Sequence, residues 1–140
     1  MFLALMKEWF DFMPNVILDK SFDFAVKIVK LADLIREQKQ FELANQILRS
    51  GTSIGANVQE AQRAESDKDF VSKMSVASKE ANETSYWLRL LRAANIISDE
   101  TFDTLNADAN EIIRLLISII KSKQANMRKE QTNNNNQPFK

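Results

Sequence analysis

The chain contains only two glycines, and both fall within one stretch of helical hydrophobic periodicity. Gly51 and Gly55 are four residues apart in the segment LRSGTSIGANVQE, residues 48–60. Glycine in a helix interior costs about 1 kcal/mol relative to alanine, and a spacing of four places both glycines on one helical face. We therefore predict that Gly51 and Gly55 allow another helix to pack closely against this one.

Turn-forming residues are scarce along the whole chain. Among its 140 residues there are two glycines and two prolines, whereas 44% of the residues are hydrophobic. This composition favours a single helical domain with a substantial core. The periodicity predicts helices over about 20–37, 41–64, 66–95 and 98–124, and the short connections make consecutive helices antiparallel neighbours. The predicted fold is all-α, an antiparallel up-down-up-down four-helix bundle.

Two segments lie outside the predicted bundle. We assign residues 1–19 to an N-terminal extension, residues 20–124 to the bundle and residues 125–140 to a disordered polar tail. The extension is apolar but has no basic leading region or small-residue cleavage site, so we expect no secretory signal. It is interpreted either as a short amphipathic helix or as an over-long start, with Met6 and Met13 as alternative first residues. The tail contains an asparagine run and few apolar residues.

Cysteine and histidine are both absent from the sequence. Their absence removes disulfides, thiolate zinc sites and Ser-His or Cys-His catalysis. Glu80 and Glu83 lie one turn apart but lack the partner residues that acid–base catalysis or a metal site needs. We therefore expect no enzyme activity, catalytic residue, metal, cofactor or small-molecule substrate. No apolar run reaches the ~18 residues of a membrane span, so we expect a cytoplasmic protein without membrane contact.

A second apolar stripe runs beside the predicted core face of the third helix. Val76, Trp87, Leu90 and Ala94 recur at helical spacing with Glu83 among them, and a monomer would leave this stripe exposed to water. We interpret the stripe as a subunit interface, which makes the protein a homo-oligomer. The alternatives are a broad core and shielding by the N-terminal extension.

The outer face of the second helix is another candidate interface. It lies opposite Gly51 and comprises Arg49, Ser53, Ala56, Asn57 and Glu60. Small residues there would permit close approach by another helix, and the charged residues at its two ends could pair across a contact. A solvated face with no partner is an equally good interpretation.

The charge of the chain gives no general affinity for nucleic acid. Lysine plus arginine number 19 and aspartate plus glutamate also number 19. A chain of zero net charge has no overall positive field to attract phosphates. Binding of RNA would therefore depend on a local basic patch, such as one that forms when subunits assemble.

Three segments of the sequence resemble a known family. They are LRSGTSIGANVQEA, residues 48–61, then SDKDFVSKMSVASKEANETSYWLRLL, residues 66–91, and then EIIRLLISIIK, residues 111–121. In this order and spacing they resemble the four-helix-bundle family that is also called the 23S rRNA intervening-sequence protein or S23 family. The resemblance extends from about Phe22 to Lys123. One departure is Ala61, where many members of the family have glycine.

The resemblance implies a small bacterial protein whose antiparallel four-helix bundles assemble as a homopentamer. A related bundle, the accessory variability protein of diversity-generating retroelements, binds nucleic acid and a reverse transcriptase. We therefore expect a non-enzymatic, self-assembling scaffold or adaptor with RNA or a nucleoprotein as its candidate partner. The alternative is a protein–protein interaction module that makes no contact with nucleic acid.

Overall fold

The protein is all-helical over the residues that its computed structural model describes. The backbone is described for residues 1–138, and the side chains for residues 1–5 and 16–138. This part of the chain has no β-strand, which confirms the all-α prediction. Its four helices are α1 (Phe2–Glu37), α2 (Phe41–Ala61), α3 (Asp67–Ala93) and α4 (Asp99–Asn135).

One apolar core joins the four helices. The largest fully buried side chains include Phe24 and Ile28 of α1, Ile47 and Ile54 of α2, Met74, Leu88 and Leu91 of α3, and Ile112 and Leu116 of α4. Each follows the helical spacing that the sequence predicts for a core face. Full burial of one such side chain contributes about 1.5–3 kcal/mol to folding. The core therefore accounts for the alignment of the four helices.

Each helix contacts two others. α1 packs against α2 and α4, and α3 packs against α2 and α4. Ion pairs join α1 to α4, with 2.7 Å between Lys20 Nζ and Glu111 Oε1 and 2.7 Å between Lys27 Nζ and Asp108 Oδ2. These groups are substantially exposed, so each pair contributes little stability. The pairs still show which residues of α1 and α4 lie side by side.

Both glycines of α2 lie against α1. A Cβ atom on Gly51 would lie 2.7 Å from Cγ2 and 2.8 Å from Cγ1 of Ile28. A Cβ atom on Gly55 would lie 3.3 Å from the carbonyl oxygen of Ser21. A methyl group at either position would therefore press into the neighbouring helix, most severely at Gly51.

Within residues 1–138, the two backbone positions with positive φ are not glycines. Lys39, between α1 and α2, has φ of 62°, and Asn95, between α3 and α4, has φ of 59°. Asparagine tolerates this left-handed conformation better than most residues, whereas lysine adopts it at a cost. The chain thus places its glycines where two helices approach closely and forms its turns with other residues.

A pair of buried hydroxyl groups connects α2 and α3 inside the core. Ser50 and Thr84 are both fully buried, and their side-chain oxygen atoms lie 3.0 Å apart. Thr84 Oγ1 also lies 2.8 Å from the carbonyl oxygen of Glu80. Every buried side-chain nitrogen or oxygen in the described part of the chain has a hydrogen-bond partner. These hydroxyl groups therefore carry no unsatisfied desolvation penalty.

Serine residues cap the N-termini of α3 and α4. The Asp69 backbone N–H donates a hydrogen bond of 3.0 Å to Ser66 Oγ, and the Thr101 N–H donates one of 3.1 Å to Ser98 Oγ. A second hydrogen bond at this helix start resembles a capping box but is shifted by one residue. The Asp69 carboxylate accepts from the N–H of Glu65 at 3.2 Å, one residue before the cap.

Ser66→Ala is expected to lower the free energy of unfolding by about 0.5–2 kcal/mol, because the Asp69 N–H loses its acceptor. Ser72→Ala, at an exposed position inside α3, is the matched control and should be neutral or slightly stabilising. Urea unfolding followed by circular dichroism measures both changes. Equal effects of the two substitutions would contradict the capping role.

The first and last helices of the chain are longer than the sequence predicts. α1 begins at Phe2 rather than near Lys20, and α4 continues to Asn135 through the segment predicted as a disordered tail. Residues 125–135 contain no proline or glycine, and most have fair helix propensity, so the helix continues although its side chains stay largely exposed. Residues 139–140 of the predicted tail lie outside the described residues, as do the side chains of residues 6–15.

Candidate subunit interface

The two surfaces singled out from the sequence form one continuous surface. Arg49 of α2 extends across to α3, where its guanidinium forms ion pairs with Glu80, at 3.3 Å, and with Glu83. We call this surface the α2–α3 seam. It comprises Arg49, Ser53, Ala56, Asn57 and Glu60 of α2 with Val76, Glu83, Trp87 and Leu90 of α3 and Ala94, the residue directly after α3.

A shared carboxylate links the charged and aromatic parts of the seam. Glu83 Oε1 accepts a hydrogen bond of 3.2 Å from Trp87 Nε1 in addition to its ion pair with Arg49. The Arg49 side chain is 50% exposed and the Glu83 side chain 36% exposed. Exposed pairs of this kind are worth less than about 1 kcal/mol to folding. Their main effect is to hold Arg49 and Trp87 in defined orientations across the seam.

The polar side chains of α2 in the seam have partners within the subunit. Ser53 Oγ donates 2.6 Å to the carbonyl oxygen of Arg49, and Asn57 Nδ2 donates 2.8 Å to the carbonyl oxygen of Ser53. Glu60 pairs with Lys73 of α3 at 3.2 Å. Because these groups already have partners, a second molecule could cover them without leaving an unpaired charge or donor.

The α3 side of the seam supplies apolar area. Val76 is 38% exposed and Leu90 37% exposed, and the half-buried Trp87 lies between them along the helix. Tyr86 packs edge to face on Trp87 with 5.1 Å between ring centroids and is itself 49% exposed. Aromatic side chains framed by polar groups are typical of protein interfaces.

Two further residues belong to this surface, and the sequence alone does not mark them as interface residues. Glu80 completes the ion-pair cluster with Arg49, and Tyr86 extends the aromatic surface. Glu80 lies one turn before Glu83, so the spacing alone indicates the same helical face. Tyr86 lies on the outer side of α3, and no helical periodicity marks it as a contact residue.

Other kinds of site find no support in the described part of the chain. No three acidic side chains there converge into a group that could hold a metal ion. Among the same residues, no helix has an apolar stretch that would span a bilayer.

Comparisons with known proteins agree on one family. Residues 14–118 match the profile of the 23S rRNA-intervening sequence protein family. The chain is also similar to a crystal structure from Bacteroides thetaiotaomicron VPI-5482, described as a protein with unknown function from the S23 ribosomal protein family. The two chains are 55% identical, and the similarity covers 78% of this chain and 98% of that one with a TM-score of 0.76. No curated protein matches the chain.

Proposed function

The chain belongs to the 23S rRNA-intervening sequence protein family, and from this membership we propose that it is a non-enzymatic, self-assembling scaffold or adaptor. Its assembly is a homopentamer that works in the bacterial cytoplasm with RNA or a nucleoprotein as its partner. The absence of cysteine and histidine supports the non-enzymatic part of this proposal. The similar crystal structure comes from a bacterium, which supports the proposed bacterial origin of this chain.

The proposed subunit is an antiparallel up-down-up-down four-helix bundle. Contacts between α1 and α2 step in opposite directions along the two helices, from Ile28 with Gly51 to Ser21 with Gly55. Contacts between α2 and α3 also step in opposite directions, since Arg49 pairs with Glu83 whereas Glu60 pairs with Lys73. Such a bundle buries the inner faces of its helices and leaves their outer faces to form contacts with other subunits.

The exposed apolar part of the α2–α3 seam is the observation that carries the assembly proposal. Leu90 and Val76 are exposed on one side of α3, and the half-buried Trp87 between them packs against the edge of the core. The ion pair of Arg49 with Glu83 lies beside them. A surface with aromatic and aliphatic anchors inside a polar rim has the composition of a specific contact. Burying it between subunits removes apolar area from water.

The assembly is tested by light scattering of the intact chain over a range of protein concentrations. The expected result is an oligomer whose mass stays constant down to low micromolar concentration. A protein that remains a monomer at high micromolar concentration would rule out the proposed scaffold.

RNA binding is tested separately by titrating a short single-stranded RNA at several salt concentrations. Binding at low salt is expected, with an affinity that falls steeply as salt rises, by a log–log slope of about −0.7 for each phosphate neutralised. Arg128→Gln combined with Lys129→Gln, both on exposed final turns of α4, should weaken binding and flatten the slope.

The alternative function is a protein–protein interaction module without nucleic-acid contact. The equal numbers of basic and acidic residues favour it, because the chain has no net positive charge. Failure to bind RNA even at low salt, with the oligomer intact, would replace the RNA adaptor by this alternative.

A further inference from the structure

A second exposed apolar surface lies on α1. Phe22 is 67% exposed, Val26 39% and Val29 44%, and their spacing of four and three places them on one helical face. We call these three residues the α1 face. Neither the core nor the seam includes them, and three large apolar side chains grouped in this way form a patch that water solvates poorly.

The helical order of neighbouring residues shows where the α1 face lies. Lys20 and Lys27 reach α4, while Ser21 and Ile28, one position further on, meet the glycines of α2. Phe22 and Val29 come one position later again, about 100° further around the helix. Phe22 and Val29 therefore lie on the outer surface of α1. They are next to the side that meets α2 and remote from the side that meets α4.

Each subunit thus presents two different apolar surfaces. A contact of the seam with itself would be isologous and would leave the α1 face in water. A head-to-tail contact between the two surfaces would bury both on every subunit, and such contacts close into a ring when the rotation permits. We infer that the α1 face of one copy docks on the α2–α3 seam of the next copy. This inference rests on the proposed self-assembly and assigns the second half of its interface.

Charges of opposite sign flank the two surfaces. Asp19 is exposed one helical turn before Phe22, and Lys79 is exposed on the outer side of α3 near Val76. Within the described part of the chain, neither Asp19 nor Lys79 forms an ion pair. They are therefore available to a neighbouring subunit, and complementary charges of this kind select partner and register.

The two charged positions also lie at a similar height along the helices. Gly55 of α2 contacts Ser21 of α1. Along α2, Gly55 lies between Glu60 and Arg49. Glu60 pairs with Lys73 of α3, and Arg49 pairs with Glu80 of α3. Lys79 is therefore close to the level of Ser21, and so of Asp19, on the other side of the subunit. Neighbouring subunits of a ring whose axis follows the helices are level with one another, so Asp19 of one copy meets Lys79 of the next.

Two lysine substitutions at exposed positions test the head-to-tail contact by native mass spectrometry. Phe22→Lys damages the α1 face, and Leu90→Lys damages the seam. Each variant alone is expected to be monomeric, and an equimolar mixture is expected to form a dimer and grow no further. In that dimer the intact α1 face of Leu90→Lys contacts the intact seam of Phe22→Lys. Ile117→Lys, at a position 41% exposed on α4, is the matched control and should assemble like wild type.

A charge exchange provides the second measurement. Asp19→Lys and Lys79→Glu should each weaken assembly, and their combination in one chain should restore it. Circular dichroism melting of each variant confirms that the subunit is folded.

Different results overturn different conclusions. Normal assembly of Phe22→Lys, or a mixture that stays monomeric, would overturn the head-to-tail contact and leave the proposed scaffold standing. A monomeric wild-type protein would overturn the scaffold itself.

Discussion

Gly51→Leu is expected to lower the free energy of unfolding by about 1–3 kcal/mol or more, the cost of overpacking a dense core. The Cβ atom alone would lie 2.7 Å from Cγ2 of Ile28, so one of the two helices has to move. Ile28 is fully buried and β-branched, and its side chain cannot rotate away easily. Urea unfolding at a fixed protomer concentration measures the change, because assembly makes stability depend on concentration.

A matched control and a double-mutant cycle isolate the contact with Ile28. Gln59→Leu adds a leucine at an exposed position of the same helix and is expected to be close to neutral. In an Ile28→Ala background the atoms nearest to Gly51 are absent, so Gly51→Leu should cost less, with a coupling energy of about 0.5–3 kcal/mol. A neutral Gly51→Leu, or additive effects in the cycle, would mean that Ile28 does not limit the approach of α1.

Trp87→Lys is expected to convert the oligomer into monomers without unfolding the subunit. The half-buried indole lies on the α2–α3 seam at the edge of the core, and a lysine there would place a charge in an apolar contact between subunits. Truncating a central aromatic residue of an interface commonly costs 2 kcal/mol or more in association, on the order of a thirtyfold loss of affinity. Light scattering measures the mass, and circular dichroism measures the helix content.

A conservative substitution separates the two contributions of Trp87. Trp87→Phe keeps the aromatic surface but removes the N–H that donates to Glu83 at 3.2 Å. It is expected to retain most of the assembly, with a weaker subunit contact. Loss of helix content in Trp87→Lys would instead indicate that the indole supports the fold of the subunit, and unchanged mass would contradict its place in the interface.

The sequence predicts the helices and most of the core because both follow from a single period. Phe24, Ile28 and Ile35 are buried, since their spacing leaves only one face of α1 that can meet other helices. The periodicity predicts burial less accurately at the border of such a face. It places Ala25 and Leu48 on the core faces of α1 and α2, but both are only half-buried because each lies at the edge of its apolar stripe.

Helix ends and outer surfaces were harder to predict than the core. The composition becomes polar after Gln124, and this change predicts the end of the helix there. The helix instead continues to Asn135, and no proline or glycine marks that end in the sequence. The α1 face was missed because periodicity cannot show which of two neighbouring apolar stripes faces inward. The candidate surfaces of α2 and α3 join into one seam through the ion pair between Arg49 and Glu83. These two residues lie on different helices, so no local sequence pattern predicts their contact.

Native mass spectrometry of the wild-type chain beside Trp87→Lys tests the central claim that the α2–α3 seam joins the subunits of a homo-oligomer. We expect a wild-type complex with five times the 16.1 kDa mass of the chain and a Trp87→Lys sample that contains folded monomers. A wild-type spectrum with monomers alone at high micromolar concentration, or a Trp87→Lys complex as large as the wild-type one, would contradict it.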